Sequence, residues 1–154
     1  MDNVRFQYSE GIGIRQSSLT ACRQNTKRQN NFTKLKFIDG VMDLARGHWQ
    51  AEMQGMFAGA TSFEGIGLET WDISNAYYIA SMFSGASSFN ADISGWTLGA
   101  TNLQSMLDGA SSFNQDISSW DVSNVTNMYF MLKGASNFNQ DISSWDVSNV
   151  TVMN

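Results

Sequence analysis

Residues 106–128 read Met106-Leu-Asp-Gly-Ala-Ser-Ser-Phe-Asn-Gln-Asp-Ile-Ser-Ser-Trp-Asp-Val-Ser-Asn-Val-Thr-Asn-Met128, and almost the same phrase begins again at Met131. Looser copies start at Met56 and Met82. A glycine recurs at Gly59, Gly85, Gly109 and Gly134, a phenylalanine at Phe63, Phe89, Phe113 and Phe138, and a tryptophan at Trp71, Trp96, Trp120 and Trp145. The glycine steps are 26, 24 and 25 residues. A period of this length marks a solenoid, in which each unit buries its apolar face against its neighbours. Such an architecture makes binding, rather than catalysis, the default expectation.

The rest of the composition narrows the classes. The 154 residues amount to at most one ordinary domain, and the repeat occupies most of it. No apolar run approaches the roughly 20 residues of a membrane span. Cys22 is the only cysteine and His48 the only histidine, which excludes an internal disulfide and a multi-histidine metal site. Gly11-Ile-Gly13 lacks the third glycine of a dinucleotide fingerprint. The carboxylates are plentiful but locked to the repeat, which argues for architecture over a tuned acid–base pair. The chain is therefore expected to be no enzyme and to need no cofactor.

The net charge of −5 conceals a split. Residues 1–50 carry Arg5, Arg15, Arg23, Lys27, Arg28, Lys34, Lys36 and Arg46 against four acids, while residues 51–154 carry Lys133 alone against ten. An acidic body repels nucleic acid, so nucleic acid is not an expected partner. The basic segment 1–36 has little apolar periodicity and reads as an irregular arm that docks on the acidic body or on a partner protein. Leu19-Thr20-Ala21-Cys22 has the shape of a lipoprotein cleavage box, but Arg15, Gln16 and two serines stand where an apolar stretch is needed.

Within one unit, Trp120-Asp121-Val122 alternates as a short strand with one buried face would. Val125, Met128, Met131 and Leu132 then recur every three or four residues, as on a helix of two to three turns starting at Ser123 or Asn124 and stopping at Gly134. The prediction is an α/β fold, a right-handed leucine-rich-repeat-like solenoid with one short parallel strand and one short helix per repeat. Trp71, Trp96, Trp120 and Trp145 would form a buried indole ladder, with Ile73, Leu98, Val122 and Val147 beside it. Residues 1–36 form the arm, 37–55 the N-terminal capping helix (an apolar stripe spans 40–57), and 56–154 four units, the last incomplete.

The phrase Gly-Ala-Ser-Ser-Phe-Asn-Gln-Asp-Ile-Ser-Ser-Trp-Asp-Val-Ser-Asn-Val-Thr-Asn-Met resembles the repeat of the BspA-like leucine-rich-repeat surface proteins, found in bacteria and mycoplasmas and expanded in unicellular algae. The resemblance is close over residues 106–154, good over 82–105 and loose over 53–81. It implies a leucine-rich-repeat-like fold, adhesion or protein binding at a cell surface, and no catalytic residues.

The outward positions beside the tryptophans are Thr70, Asp72, Ser74, then Gly95, Thr97, Gly99, then Ser119, Asp121, Ser123, and Ser144, Asp146, Ser148. On a concave face they would make a ribbon of small polar groups with a column of aspartates broken at Thr97. Three readings stand: an acidic docking strip for a basic partner, a weak calcium site, or residues that keep the face soluble and closely packed. Calcium takes six to eight oxygens, more than one column supplies. A second column, Asp92, Asp116 and Asp141, reads as turn aspartates, and Asn90, Asn114 and Asn139 as residues bonded to backbone in the turns. Asn31, Asn124 and Asn149 begin Asn-x-Thr sequons; the last two sit at repeat helix starts, where capping explains them, and glycosylation is a minor reading. The last unit carries no polar cap, so its end is either continued by further repeats or covered by another subunit. These features lead to a non-catalytic protein-binding module, an accessory or structural subunit held through its arm and its exposed end, docking onto a membrane complex included. The alternative is cell-surface adhesion or ligand recognition by the concave face.

Overall fold

A computed structural model describes residues 53–154. Within them the recurring local element is the β-turn. In the third unit, the N–H groups of Met106, Ala110, Phe113, Trp120 and Val125 donate to the carbonyls of Leu103, Leu107, Ala110, Ile117 and Val122, at 2.9–3.1 Å. Each bond spans three residues and closes a four-residue turn. Every corner of these turns is apolar and buried, and none of the pairs between corners (Gln104-Ser105, Asp108-Gly109, Ser111-Ser112, Ser118-Ser119, Ser123-Asn124) is buried. Serine, asparagine and aspartate suit such middles because their side chains bond to nearby backbone.

One stretch of each unit needs left-handed residues. Gly55, Ser81, Ser105 and Phe130 have φ between 52° and 58°, and the glycine column Gly59, Gly85, Gly109 and Gly134 has φ between 71° and 74°. The positive φ, rather than crowding, calls for glycine in this column. A Cβ on Gly134 would come within 3.4 Å of the Gly109 backbone, because the columns stack main chain on main chain.

Units join through rows of hydrogen bonds between residues about one repeat apart. The N–H groups of Leu103, Ser105, Leu107 and Gly109 donate to the carbonyls of Asn127, Tyr129, Met131 and Lys133 at 2.6–2.9 Å. Met53, Gly55, Phe57 and Gly59 do the same toward Tyr78, Ala80, Met82 and Ser84. The intervening N–H groups of Met56, Ala58 and Ala60 turn back to carbonyls of their own unit. Elsewhere in the repeat the direction reverses: Ser112 and Asn137 donate back to the carbonyls of Ser87 and Ser111.

This overturns the predicted α/β, right-handed leucine-rich-repeat-like solenoid with a strand and a helix in each repeat. Among the described residues the helical content is one 3₁₀ turn, Leu68–Thr70, and the strand-like pairing is limited to isolated bridge residues: the parallel bridges Asn102↔Asn127 and Asn127↔Val152, and a further bridge residue at Tyr78. A parallel ladder exchanges bonds in both directions along the strand. Here the row carries donors from one unit and acceptors from the next, and two-way exchange occurs only at those bridges. The alternation Trp120-Asp121-Val122 arises because Asp121 stands between two turns whose corners are Trp120 and Val122. Val125 ends one turn and Met128–Met131 closes another, with the bridge residue Asn127 between them, and the positive φ of Phe130 is incompatible with a helix. Residues 53–57, the described end of the expected helix over 40–57, are likewise turns. The arm 1–36 and nearly all of the capping helix 37–55 lie outside the described residues.

The apolar corners meet in one core. Phe63, Phe89, Phe113 and Phe138 stack in a column with ring centroids 5.6–6.1 Å apart and planes within 6° of parallel. Phe57 and Phe83 form a second, shorter column whose rings lie 5.6 Å apart. Burying one such ring contributes about 1.5–3 kcal/mol. The tryptophans serve both burial and polar pairing. The indole N–H groups of Trp96, Trp120 and Trp145 donate to the carbonyls of Leu68, Ile93 and Ile117 in the preceding unit, at 2.9–3.1 Å. The indole ladder is thus present, and the aliphatic one in part. Ile73 and Val122 are buried, Leu98 is half-buried and Val147 is exposed.

Candidate functional site

Two surfaces compete for a functional role, and their chemistry differs. The first is the polar strip singled out by the sequence. Asp72, Thr97, Ser119, Asp121, Ser144, Asp146 and Ser148 are exposed, and Ser74 and Ser123 are half-buried. Each aspartate folds onto its own chain: the carboxylates of Asp72, Asp121 and Asp146 accept the N–H groups of Ser74, Ser123 and Ser148 at 3.0 Å. The Ser123 hydroxyl adds a second bond to Asp121 at 2.6 Å. These are Asx turns, which shape the corner after each tryptophan. Ser119 and Ser144 donate their hydroxyls to the carbonyls of Ser94 and Ser118, tying units together.

The second aspartate column behaves alike. Asp92, Asp116 and Asp141 accept the N–H groups of Ser94, Ser118 and Ser143 at 2.9–3.0 Å. The Ser118 backbone bond, then the Ser118 hydroxyl, holds Asp116 below the usual carboxylate range, against the opposing charges of Asp141 and Asp92. In the first column the Ser123 hydroxyl, then its backbone N–H, lowers Asp121; the Ser148 hydroxyl, then its N–H, lowers Asp146, against the charge of Asp121. Hydrogen bonding to the charged form outweighs repulsion between the stacked carboxylates. Among the described residues no three His, Cys, Asp or Glu side chains are grouped to hold a metal ion.

The asparagines act between units rather than inside one turn. Asn90 and Asn114 accept, through Oδ1, the N–H groups of Asn114 and Asn139 at 2.9 Å. Gln115 and Gln140 reach back to the same two asparagines at 2.9–3.0 Å.

The second surface is the face of the last unit. Ile142-Ser-Ser-Trp-Asp-Val-Ser-Asn-Val150 is identical to Ile117-Ser-Ser-Trp-Asp-Val-Ser-Asn-Val125. In the earlier copy all the apolar corners are buried. In the later one Phe138, Ile142, Trp145 and Val150 are half-buried, and Val147 is 40% exposed where Val122 is 1% exposed. Val152 and Met153 are exposed beside them. The opposite end is different: Phe57, Phe63, Leu68 and Trp71 of the first unit are all buried.

Sequence reading did not find the cleft of about 370 Å³ lined by Glu64, Ile66, Glu69, Asn90 and Asp92. Its signal was present, for eight residues separate Phe63 from Trp71 where seven separate Phe89 from Trp96. The extra residue carries the chain out at Gly65-Ile66-Gly67, leaving Ile66 45% exposed. Gly99 was also misjudged as one of the small outward residues. A Cβ there would fall 2.0 Å from the Ser74 carbonyl oxygen, so the position is one of close backbone approach. The arm residues Arg5, Arg15, Arg23, Lys27, Arg28, Lys34 and Lys36 lie outside the described residues. No helix among the described residues is long and apolar enough to cross a membrane.

The tandem turns and their shared columns define a protein of repeated units whose described chemistry is structural. The family described as "Mycoplasma protein of unknown function, DUF285" matches residues 48–100 and again residues 97–154. The chain belongs to that family. No curated protein and no solved structure matches it.

Proposed function

We propose that the chain is a non-catalytic protein-binding repeat module, an accessory or structural subunit of a larger assembly. The observation that carries this reading is the way one unit recognises the next: Ser105, Leu107 and Gly109 donate N–H groups to the following unit, and Trp120 and Trp145 donate indole N–H groups to the preceding one. Val147, Val152 and Met153 are exposed beside half-buried Phe138, Ile142 and Trp145, an apolar patch of the kind that marks an interaction site. The aspartates support the same reading from the other side. Among the described residues Asp72, Asp92, Asp116, Asp121, Asp141 and Asp146 are each held in a turn, a structural use of the carboxylate.

The test is affinity capture from native material with the chain and its Val147→Asp variant, followed by rebinding of the captured protein in purified form. A protein that binds the parent chain and loses at least tenfold in affinity for the variant supports the reading. Equal binding to both places recognition elsewhere on the chain.

The resemblance to BspA-like surface repeats supports a second reading, adhesion or ligand recognition through the polar strip. The exposed and ionised Asp72, Asp121 and Asp146 favour a basic ligand. Replacing all three by asparagine keeps the turn-forming oxygen and removes the charge, so binding lost in that variant would select this reading.

A further inference from the structure

The cleft between the first two units marks a missing rung in the polar ladder. At the later junctions a glutamine follows the turn asparagine and reaches back one unit. The Gln115 amide donates to the carbonyl and side chain of Asn90, and the Gln140 amide to those of Asn114, at 2.9–3.0 Å. Both asparagines also accept, through Oδ1, a backbone N–H of the next unit. The first junction has neither half of this device, for Glu64 stands in the asparagine position and Ala91 in the glutamine position. The Asn90 N–H goes instead to the Glu64 carbonyl, at 3.4 Å, and no hydrogen bond from the described residues reaches the Glu64 carboxylate. Ala91 is too short to supply the rung, and both residues line the cleft of about 370 Å³.

We propose that this cleft binds an arginine side chain on a segment of a partner protein, with the guanidinium taking the place of the missing amide against Glu64 and a neighbouring aliphatic residue packing on Ile66. This deepens the reading of the chain as a protein-binding module and rests on it. Charge selects the partner. Glu64, Glu69 and Asp92 line the cleft, while Lys133, the one base of residues 51–154, lies over the Phe130 ring. Asp92 and Glu69 already hold the N–H groups of Ser94 and Gly67, which leaves Glu64 to take a donor from outside. Among the described residues these carboxylates are not grouped to hold a metal ion, so the complement is a cation carried on a side chain. A guanidinium offers a planar fork of N–H donors that pairs with a carboxylate through two parallel bonds, where an ammonium acts as a point charge. Ile66, 45% exposed in the same lining, supplies the apolar contact.

The test titrates the full 154-residue chain with the blocked peptide acetyl-Gly-Leu-Arg-Leu-Gly-amide and follows the backbone amides by NMR. The same peptide with citrulline in place of arginine is the control. Saturable shifts are expected at Gly65, Ile66, Gly67 and Ala91, and affinity for the citrulline peptide should be lower by about tenfold. Glu64→Gln, at an exposed position, removes the charge and should weaken binding by a similar factor. Ala91→Gln restores the rung and should abolish binding without lowering the melting temperature. Asp121→Asn and Asp146→Asn, away from the cleft lining, should leave binding unchanged. Three results would overturn the proposal: no saturable shift at the cleft, equal binding of the arginine and citrulline peptides, or binding indifferent to both Glu64→Gln and Ala91→Gln. A nitroxide on Cys22 that broadens Ile66 and Ala91 in the free chain, with no peptide binding, would overturn it too, by assigning the cleft to the chain's own basic segment. If the peptide fails while a purified captured protein still binds the chain, the binding-module reading stands and the cleft is not its site.

Discussion

The segments 117–125 and 142–150 are identical in sequence, form the same turns and carry the same Asx bonds, yet one is core and the other is surface. Trp120 and Trp145 even lie parallel, with ring centroids 6.4 Å apart. The difference teaches that the local fold is written in each unit, whereas burial is a property of the neighbour. What a unit does therefore depends on whether another unit follows it.

The largest expected effect comes from splitting that pair. Trp120→Ala removes a buried ring and its indole bond to the Ile93 carbonyl, which keeps the Trp96 N–H, and should cost about 3–5 kcal/mol in denaturant unfolding. Trp145→Ala should cost about half as much, because part of its ring already faces water. Equal losses would contradict the stated difference in burial. Next is Gly99, where unit 2 passes closest to unit 1. Gly99→Ala drives a methyl group into the Ser74 carbonyl and should cost about 1–3 kcal/mol, seen as a lower melting temperature. The same substitution at Gly95, where a Cβ meets nothing within 4 Å, should be nearly silent.

How much of this was legible in the sequence follows from the same contrasts. The register, the Phe and Trp columns and the turn aspartates Asp92, Asp116 and Asp141 could be read from spacing and residue type. The secondary structure could not. Apolar corners three apart fit a helical face nearly as well as they fit successive turns, and Trp-x-Val fits a strand as well as two adjoining corners. The information that decides between them lies in the middles of the turns. Ser-Ser, Ser-Asn and Asp-Gly compete with helix by bonding locally or by adopting positive φ. The site was legible only in part. Val147 fits a buried ladder by its spacing yet is exposed in the described residues, and Ile66 and Gly99 depend on one-residue length changes whose consequences are tertiary.

A smaller effect separates local from neighbour-dependent bonds. Asp121→Ala and Asp146→Ala each remove an Asx turn that is complete within its own unit, so both should lower the melting temperature by similarly small amounts despite the difference in burial around them. A markedly larger loss at Asp121 would mean that its bond depends on the stack. Acid should act on all six lowered aspartates together. Their folded values lie below the unfolded one, so their contribution is full above the unfolded pKa and is lost as pH falls through the folded values. Stability should therefore be level near neutrality and decline as pH drops below about 4. A chain equally stable at pH 7 and pH 2.5 would show the Asx bonds to be of no consequence.

The most direct measurement is residue-resolved hydrogen exchange on the free chain. Ser105, Leu107 and Gly109 should be strongly protected, because their N–H groups are held by the following unit, while Phe130, Leu132 and Gly134, in the same register on the open face, should exchange at rates close to those of an unfolded chain. Comparable protection at both sets would contradict the account in which each unit's donor row is held only by the unit that follows it.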